Sequence, residues 1–154
     1  GQNPFKVVKD FAQQKFLPTY EKYVSPSTFG TVTFDYSNNN GRYFIGQGEL
    51  AFELDFSKSS NWNIQLYNDP SSIRTVAIAK DVNEISEIVD ARQYDGSSRV
   101  RRPNINQIAV LQNSNGFYAA IKILAIKDDT RGEEYDEVIF EYKIQTNGSP
   151  DFSN

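Results

Sequence analysis

Glu141-Tyr142-Lys143 places a carboxylate and an ammonium two positions apart, on one side of an extended chain. That pairing suits chemistry in which an acid holds a divalent cation while a lysine orients the attacking water, as in metal-dependent phosphodiester cleavage. A second acid must share the ion. Asp128, Asp129 and Asp136 belong to the run Asp128-Asp129-Thr130-Arg131-Gly132-Glu133-Glu134-Tyr135-Asp136, which also offers oxygen ligands for a hard cation such as calcium. It lacks the EF-hand order of acids and carries Arg131 at its centre. If residue 127 pairs near residue 137, Glu141 lies about four residues further along its strand, roughly 13 Å from the run. One ion cannot serve both, so Glu141 and Lys143 are expected to decorate a solvated strand face, with no metal or cofactor required.

A second carboxylate pair stands in Glu53-Leu54-Asp55-Phe56-Ser57-Lys58. Over these six residues the chain resembles the opening of the Glu-x-Asp-x-x-Glu strand motif of laminarinase-like glycosidases. The resemblance implies a β-sandwich in which Glu53 would be the nucleophile, Asp55 its assistant and the last position the acid/base. Here that position is Lys58, or Ser57 if counted one shorter. Glycoside hydrolysis ordinarily uses two carboxyl groups with separated proton affinities, so this departure removes one partner. What remains is a sandwich that binds sugar without cleaving it, for which Tyr43, Trp62 and Tyr67 offer stacking planes and Asn63 an amide. Trp62 also fits the inward face of its own strand, which makes it a core candidate.

Arg99, Arg101 and Arg102, with Arg92 just before, form the most basic patch, and alternation puts Arg99 and Arg101 on one face where they could grip phosphates. The chain as a whole carries a net charge of −4, which argues against a nucleic-acid partner. Gly41, Gly46 and Gly48 lie between strands, so they have no helix N-terminus behind them with which to cradle a phosphate.

Composition narrows the chemistry further. The chain has no histidine and no cysteine, which removes imidazole and thiolate ligands, thiol nucleophiles, disulfides and the Ser-His-Asp arrangement. Any catalysis falls to carboxylates, Lys, Arg, Tyr, Ser or Thr. A setting without disulfides slightly favours the cytoplasm, with a secreted form whose signal peptide has been removed as the alternative. No apolar run reaches the roughly twenty residues that span a bilayer. The chain also lacks methionine, as expected of a processed form or a piece of a longer protein.

The elements that must position these residues are mostly strands. Phe117 to Lys127 is apolar on both faces and predicts a central, doubly covered strand, while Glu137 to Gln145 alternates cleanly and predicts one half in water. With Ile108 to Gln112 ahead of the Asn113-Ser114-Asn115-Gly116 turn, they predict a three-stranded antiparallel meander. Thr31 to Tyr36 and Tyr43 to Ile45, separated by Ser37-Asn38-Asn39-Asn40-Gly41, predict a hairpin. Gly48 to Ser57, Trp62 to Leu66 and Ile73 to Ala79 predict three more strands. Asn3-Pro4 with Phe5, Val8, Ala12 and Phe16 predicts an N-terminal amphipathic helix, and Asp81 with Glu84 caps a short helix near residues 82–90.

The sum is a mainly β fold, either an antiparallel, jelly-roll-like β-sandwich or a partly open β-barrel, with those two helices. Its parts are a helix over 1–17, a connection over 18–30, one β-rich domain over 31–146 and a flexible tail over 147–154. With every carboxylate motif incomplete, the expected function is non-catalytic recognition of a carbohydrate or a protein partner, as a module of a larger protein. The alternatives are a phosphodiesterase using Glu141 and Lys143 and a nucleic-acid binder using Arg99, Arg101 and Arg102.

Overall fold

Alternation along the strands decides the layers. In the computed structural model, which describes residues 22–128 and 135–153, Phe52, Leu54 and Phe56 point inward from one strand, and Val138, Phe140, Tyr142 and Ile144 point inward from another that faces it. Among the described residues ten strands follow in chain order: β1 (Val24–Ser25), β2 (Phe29–Asp35), β3 (Arg42–Ile45), β4 (Phe52–Lys58), β5 (Ile64–Tyr67), β6 (Ile73–Ala79), β7 (Val100–Arg101), β8 (Ile108–Asn113), β9 (Tyr118–Lys127) and β10 (Glu137–Ile144). They form two five-stranded sheets, β1-β3-β4-β5-β7 and β2-β10-β9-β8-β6. Only β1 beside β3 is parallel among these pairings. The architecture is a sandwich, with no closed barrel. Each sheet is centred on a meander, β3-β4-β5 or β8-β9-β10, rather than on the interleaved Greek keys of a jelly roll.

Between the sheets lies an aromatic-rich core. Phe34, Tyr43, Phe56 and Phe140 stack in tilted or edge-on pairs with ring centroids 5.2–6.2 Å apart, spacings at which ring quadrupoles attract. A second, smaller core lies on the far side of the second sheet. There Ile85, Ile88, Ala91 and Phe152 cover Ala79, Ile108, Val110 and Ala120. β9 is therefore enclosed on both faces along this stretch, with Ala119, Ile121 and Ile123 in the first core and Ala120 in the second. That is the arrangement its unbroken apolar run predicts.

Three expectations change. The hairpin expected between residues 31 and 45 does not form, because β2 and β3 belong to different sheets. Asn39, Asn40 and Gly41 take successive left-handed conformations (φ 50°, 59° and 77°) as the chain passes between them. Alternation fixes which face of a strand is buried but not which strand lies alongside. The helix near residues 82–90 reduces to a single 3₁₀ turn at Ile85–Glu87. Its capping box joins Glu84 to Glu87, one turn later than the Asp81 and Glu84 pair. Ile85, Ile88 and Ala91 are buried at intervals of three, a period that suits an irregular strap of tight turns better than an α-helix.

The third change concerns the tail. Residues 147–153 fold back onto the strap, with the Phe152 amide donating to Ile88 O at 2.9 Å and the Ala91 amide to Pro150 O at 2.8 Å. The ring of Phe152 is 1% exposed, so burying it offsets the entropy of ordering the segment. The N-terminal helix and residues 18–21 of the connecting segment lie outside the described residues, while the rest of that segment, expected as a plain connection, contains β1 and the start of β2.

One buried amide ties the two sheets at an end of the sandwich. Asn113, 1% exposed, donates from Nδ2 to Glu49 O (3.0 Å) and Ala51 O (3.1 Å) and accepts at Oδ1 from the amides of Asn115 and Phe117 (both 3.0 Å). Both donors and both acceptor sites of its carboxamide are filled, as burial demands.

Candidate functional site

The outer face of the first sheet carries a continuous polar row. Register places Arg42 opposite Asp55, Phe44 opposite Glu53, Asp55 opposite Tyr67 and Ser57 opposite Gln65. All of these alternate with inward residues that belong to the core. No second apolar layer covers this face among the described residues. Arg42 Nη1 donates to Glu53 Oε2 at 2.9 Å, and its Nε lies 3.9 Å from Asp55 Oδ1. The two carboxylates are only 17% and 13% exposed, low for acids on an uncovered sheet, because neighbouring strands crowd them with long side chains. Burial pushes the Asp55 carboxyl above its ordinary value, an effect that Arg42 partly reverses and that Asp69 and Glu53 reinforce.

The row continues across β5 toward the β7 edge. Tyr67 and Ser57 share a hydroxyl hydrogen bond at 2.9 Å, and Gln65 Nε2 donates to Ser57 Oγ at 3.2 Å. Arg99 lies over the Tyr67 ring, 5.2 Å from its centroid, and forks onto both Asp69 oxygens at 2.8 Å. That bidentate pairing holds the Asp69 carboxyl below its ordinary value and the Arg99 guanidinium above its own. Arg42, Gln65 and Asp69 are the members that the sequence reading missed. Arg42 was legible in principle as the outward residue before Tyr43, but the others needed the register.

The remaining candidates disperse. Tyr43 is a core residue, 7% exposed, with its hydroxyl 2.6 Å from Ser25 Oγ, and offers no stacking plane to a ligand. Trp62 has the opposite fate. It sits outside any strand in the β4–β5 loop at 64% exposure and is not core. Asn63 forms a bridge with Asn104, and its Oδ1 accepts from Ser60 Oγ at 2.6 Å. Lys58, at the acid/base position of the glycosidase-like motif, turns away to reach Asp128 (3.5 Å) and Asp136 (3.6 Å). A lysine ammonium thus pairs with two of the three acids considered for calcium. Asp129 lies outside the described residues.

Glu141 and Lys143 do line a cleft of about 230 Å³, together with Glu84, Ile85, Ser86 and Phe152. Glu84 comes from the strap, not from the acidic run, and its Oε2 already binds Lys122 Nζ at 3.1 Å. Lys122 is the cross-strand partner of Glu141 in β9. Two lysines therefore accompany two acids. No group of three acids stands close enough to hold a metal among the described residues.

The arginines separate as well. Arg92 forks onto Asp90 (2.9 and 3.0 Å), and Arg99 is held by Asp69. Arg101 instead spans the two sheets, donating from Nε to Val76 O at 3.3 Å and from Nη2 to Asp95 O at 2.6 Å. Arg101 and Arg102 line a cleft of about 350 Å³ between the edges of β6 and β7, while Arg99 and Arg92 do not.

No protein-family model matches the chain, and no curated protein matches its sequence. Among the described residues no helix is long and apolar enough to cross a membrane.

Proposed function

We propose that the chain is a non-catalytic recognition module of a larger protein that binds carbohydrate across the outer face of the first sheet. The observation that carries this reading is the polar row Arg42, Glu53, Asp55, Ser57, Gln65 and Tyr67 on three adjacent strands, with no apolar cover among the described residues. Sugar hydroxyls are recognised by such planar, mutually braced donors and acceptors, with an aromatic ring supplying the apolar contact. Trp62 supports the reading from the tip of the same β4–β5 hairpin. The absence of a carboxyl group at position 58 supports binding over hydrolysis. A protein partner would prefer a contiguous apolar patch, whereas Phe29, Trp62, Val89 and Tyr135, the large exposed apolar side chains among the described residues, come from four separate segments.

Trp62 is the single tryptophan, so its emission reports directly on the β4–β5 tip. The reading expects hits on a glycan array and a saturable emission change with the same sugars. It also expects affinity at least tenfold weaker in Arg42→Gln and Trp62→Ala. An array without hits, or binding indifferent to both substitutions, overturns it.

One observation favours a second reading, a metal-dependent phosphodiesterase: Glu84, Glu141 and Lys143 line the same cleft. That reading expects magnesium or manganese to raise the melting temperature, and Glu141→Gln to abolish the rise along with cleavage of a phosphodiester substrate. A melting temperature unmoved by either ion removes it.

A further inference from the structure

Arg101 joins the two sheets at the edge opposite β1 and β2, and the bonds that do so also fix its guanidinium in space. Its Nε and Nη2 are engaged by Val76 O and Asp95 O, and its side chain is only 23% exposed. A guanidinium held by two backbone carbonyls has surrendered its rotamer freedom before any ligand arrives, which is what preorganisation means for a binding group.

Around it the charge is one-sided. The cleft of about 350 Å³ that Arg101 borders is also lined by Lys80 at the end of β6, by Arg102, and by Ile78, Ser98 and Asp95. Three cations face one carboxylate, and that carboxylate is spent. Asp95 accepts from the Ser97 hydroxyl, accepts from the Ser97 amide at 2.9 Å and lies 3.5 Å from Arg101 Nη2, contacts that hold its pKa below the ordinary value. The Ser98 hydroxyl is occupied too, donating to Val100 O at 2.9 Å. Lys80 and Arg102 are exposed, and neither has an ion-pair partner among the described residues. Arg42, Arg92 and Arg99 each do. An excess of two positive charges gathers here on a chain whose net charge is −4.

We propose that the cleft between the edges of β6 and β7 binds a tetrahedral oxyanion, a phosphate or sulfate monoester, through Lys80, Arg101 and Arg102. A planar fork beside an ammonium matches several oxygens on one small centre, whereas a planar carboxylate fills the fork alone. The cleft is larger than the anion, so the group carrying the ester lies along Ile78. This site is separate from the polar row on the first sheet and stands whether or not that face binds sugar.

The test uses the full chain, isotopically labelled, titrated with inorganic phosphate, sulfate and methyl phosphate at constant ionic strength maintained with chloride. A saturable change in amide shifts confined to residues around 80 and 98–102 is expected. Lys80→Gln with Arg102→Gln should weaken it at least tenfold and leave the melting temperature unchanged, because both side chains are exposed. Arg101→Lys, which keeps the charge and loses the fork, should weaken it at least threefold. The tighter of the phosphate and sulfate arms identifies the ester. Shifts spread over the surface, no saturation with either anion, or binding unaltered in the double variant would each overturn the assignment.

Discussion

Lys58 Nζ lies 3.5 Å from Asp128 Oδ1 and 3.6 Å from Asp136 Oδ1, so a residue of the first sheet reaches both ends of the β9–β10 connection in the second. Asp128 is the less exposed acid of the two, at 2% for its side chain. Lys58→Met removes the cation and leaves a buried carboxylate with a weaker set of partners. The expected loss is about 1–3 kcal/mol in urea unfolding, with Lys58→Arg recovering most of it. Equal midpoints for the parent and Lys58→Met would mean that Lys58 is not what holds Asp128.

Asp55 and Asp69 should respond to pH in opposite senses. The folded-state pKa of Asp55 is raised, chiefly by burial, so its contribution to stability is full below the unfolded value of 3.8 and is lost as pH rises through the folded value. Asp55→Asn should therefore gain on the parent as pH climbs from acid toward neutral. Asp69 is lowered by its hydrogen bonds from Arg99, so its contribution is present above the unfolded value and disappears as pH falls through the folded one. Asp69→Asn should lose to the parent at neutral pH and match it in strong acid. Thermal melts across pH 2–7 test both signs, and parallel curves would refute the assignment.

Two glycines with the same handedness of φ should differ in how much an alanine costs. At Gly41 (φ 77°) a Cβ would lie 2.1 Å from Phe56 O, a backbone atom that cannot step aside, whereas at Gly48 (φ 61°) it meets open space. Gly48→Ala should cost about 1–2 kcal/mol for the left-handed conformation alone. Gly41→Ala should cost clearly more, or prevent folding. The chemical-denaturation midpoints of the pair decide it.

Trp62 and Phe140 are both large aromatics, with opposite surroundings. Phe140 is fully buried against Tyr43, Phe56 and Tyr142, and truncation to alanine should cost about 3–5 kcal/mol. Trp62→Ala should stay within about 0.5 kcal/mol of the parent. A large loss at Trp62 would place its ring in the fold's own packing and withdraw it from ligand binding.

The layers of this protein were legible where chemistry is local. Phe52, Leu54 and Phe56 inward, Glu53 and Asp55 outward, and β9 covered twice all follow from which side chains water rejects. Partners were not legible, because a strand's alternation carries no record of its neighbour. Hence β2 and β3 read as a hairpin although they lie in different layers, and Glu84 was not recognised beside Glu141. Trp62 failed for a related reason: extrapolating the period of β5 backward crosses the loop where that period stops. The strap was misread because Asp81 and Glu84 have capping-box spacing, while the box that forms joins Glu84 to Glu87 and the residues buried, Ile85, Ile88 and Ala91, recur at intervals of three.

Because apolar layers enclose the middle of the second sheet from both sides while, among the described residues, none covers the outer face of the first, the two halves should not admit solvent together. Deuterium should enter the amides of β3 to β5 well before those of β8 and β9, whose protons would exchange only when the whole chain comes apart. Slow flexing belongs to the half with the wet face, and the meander beneath the strap is the anvil against which it moves.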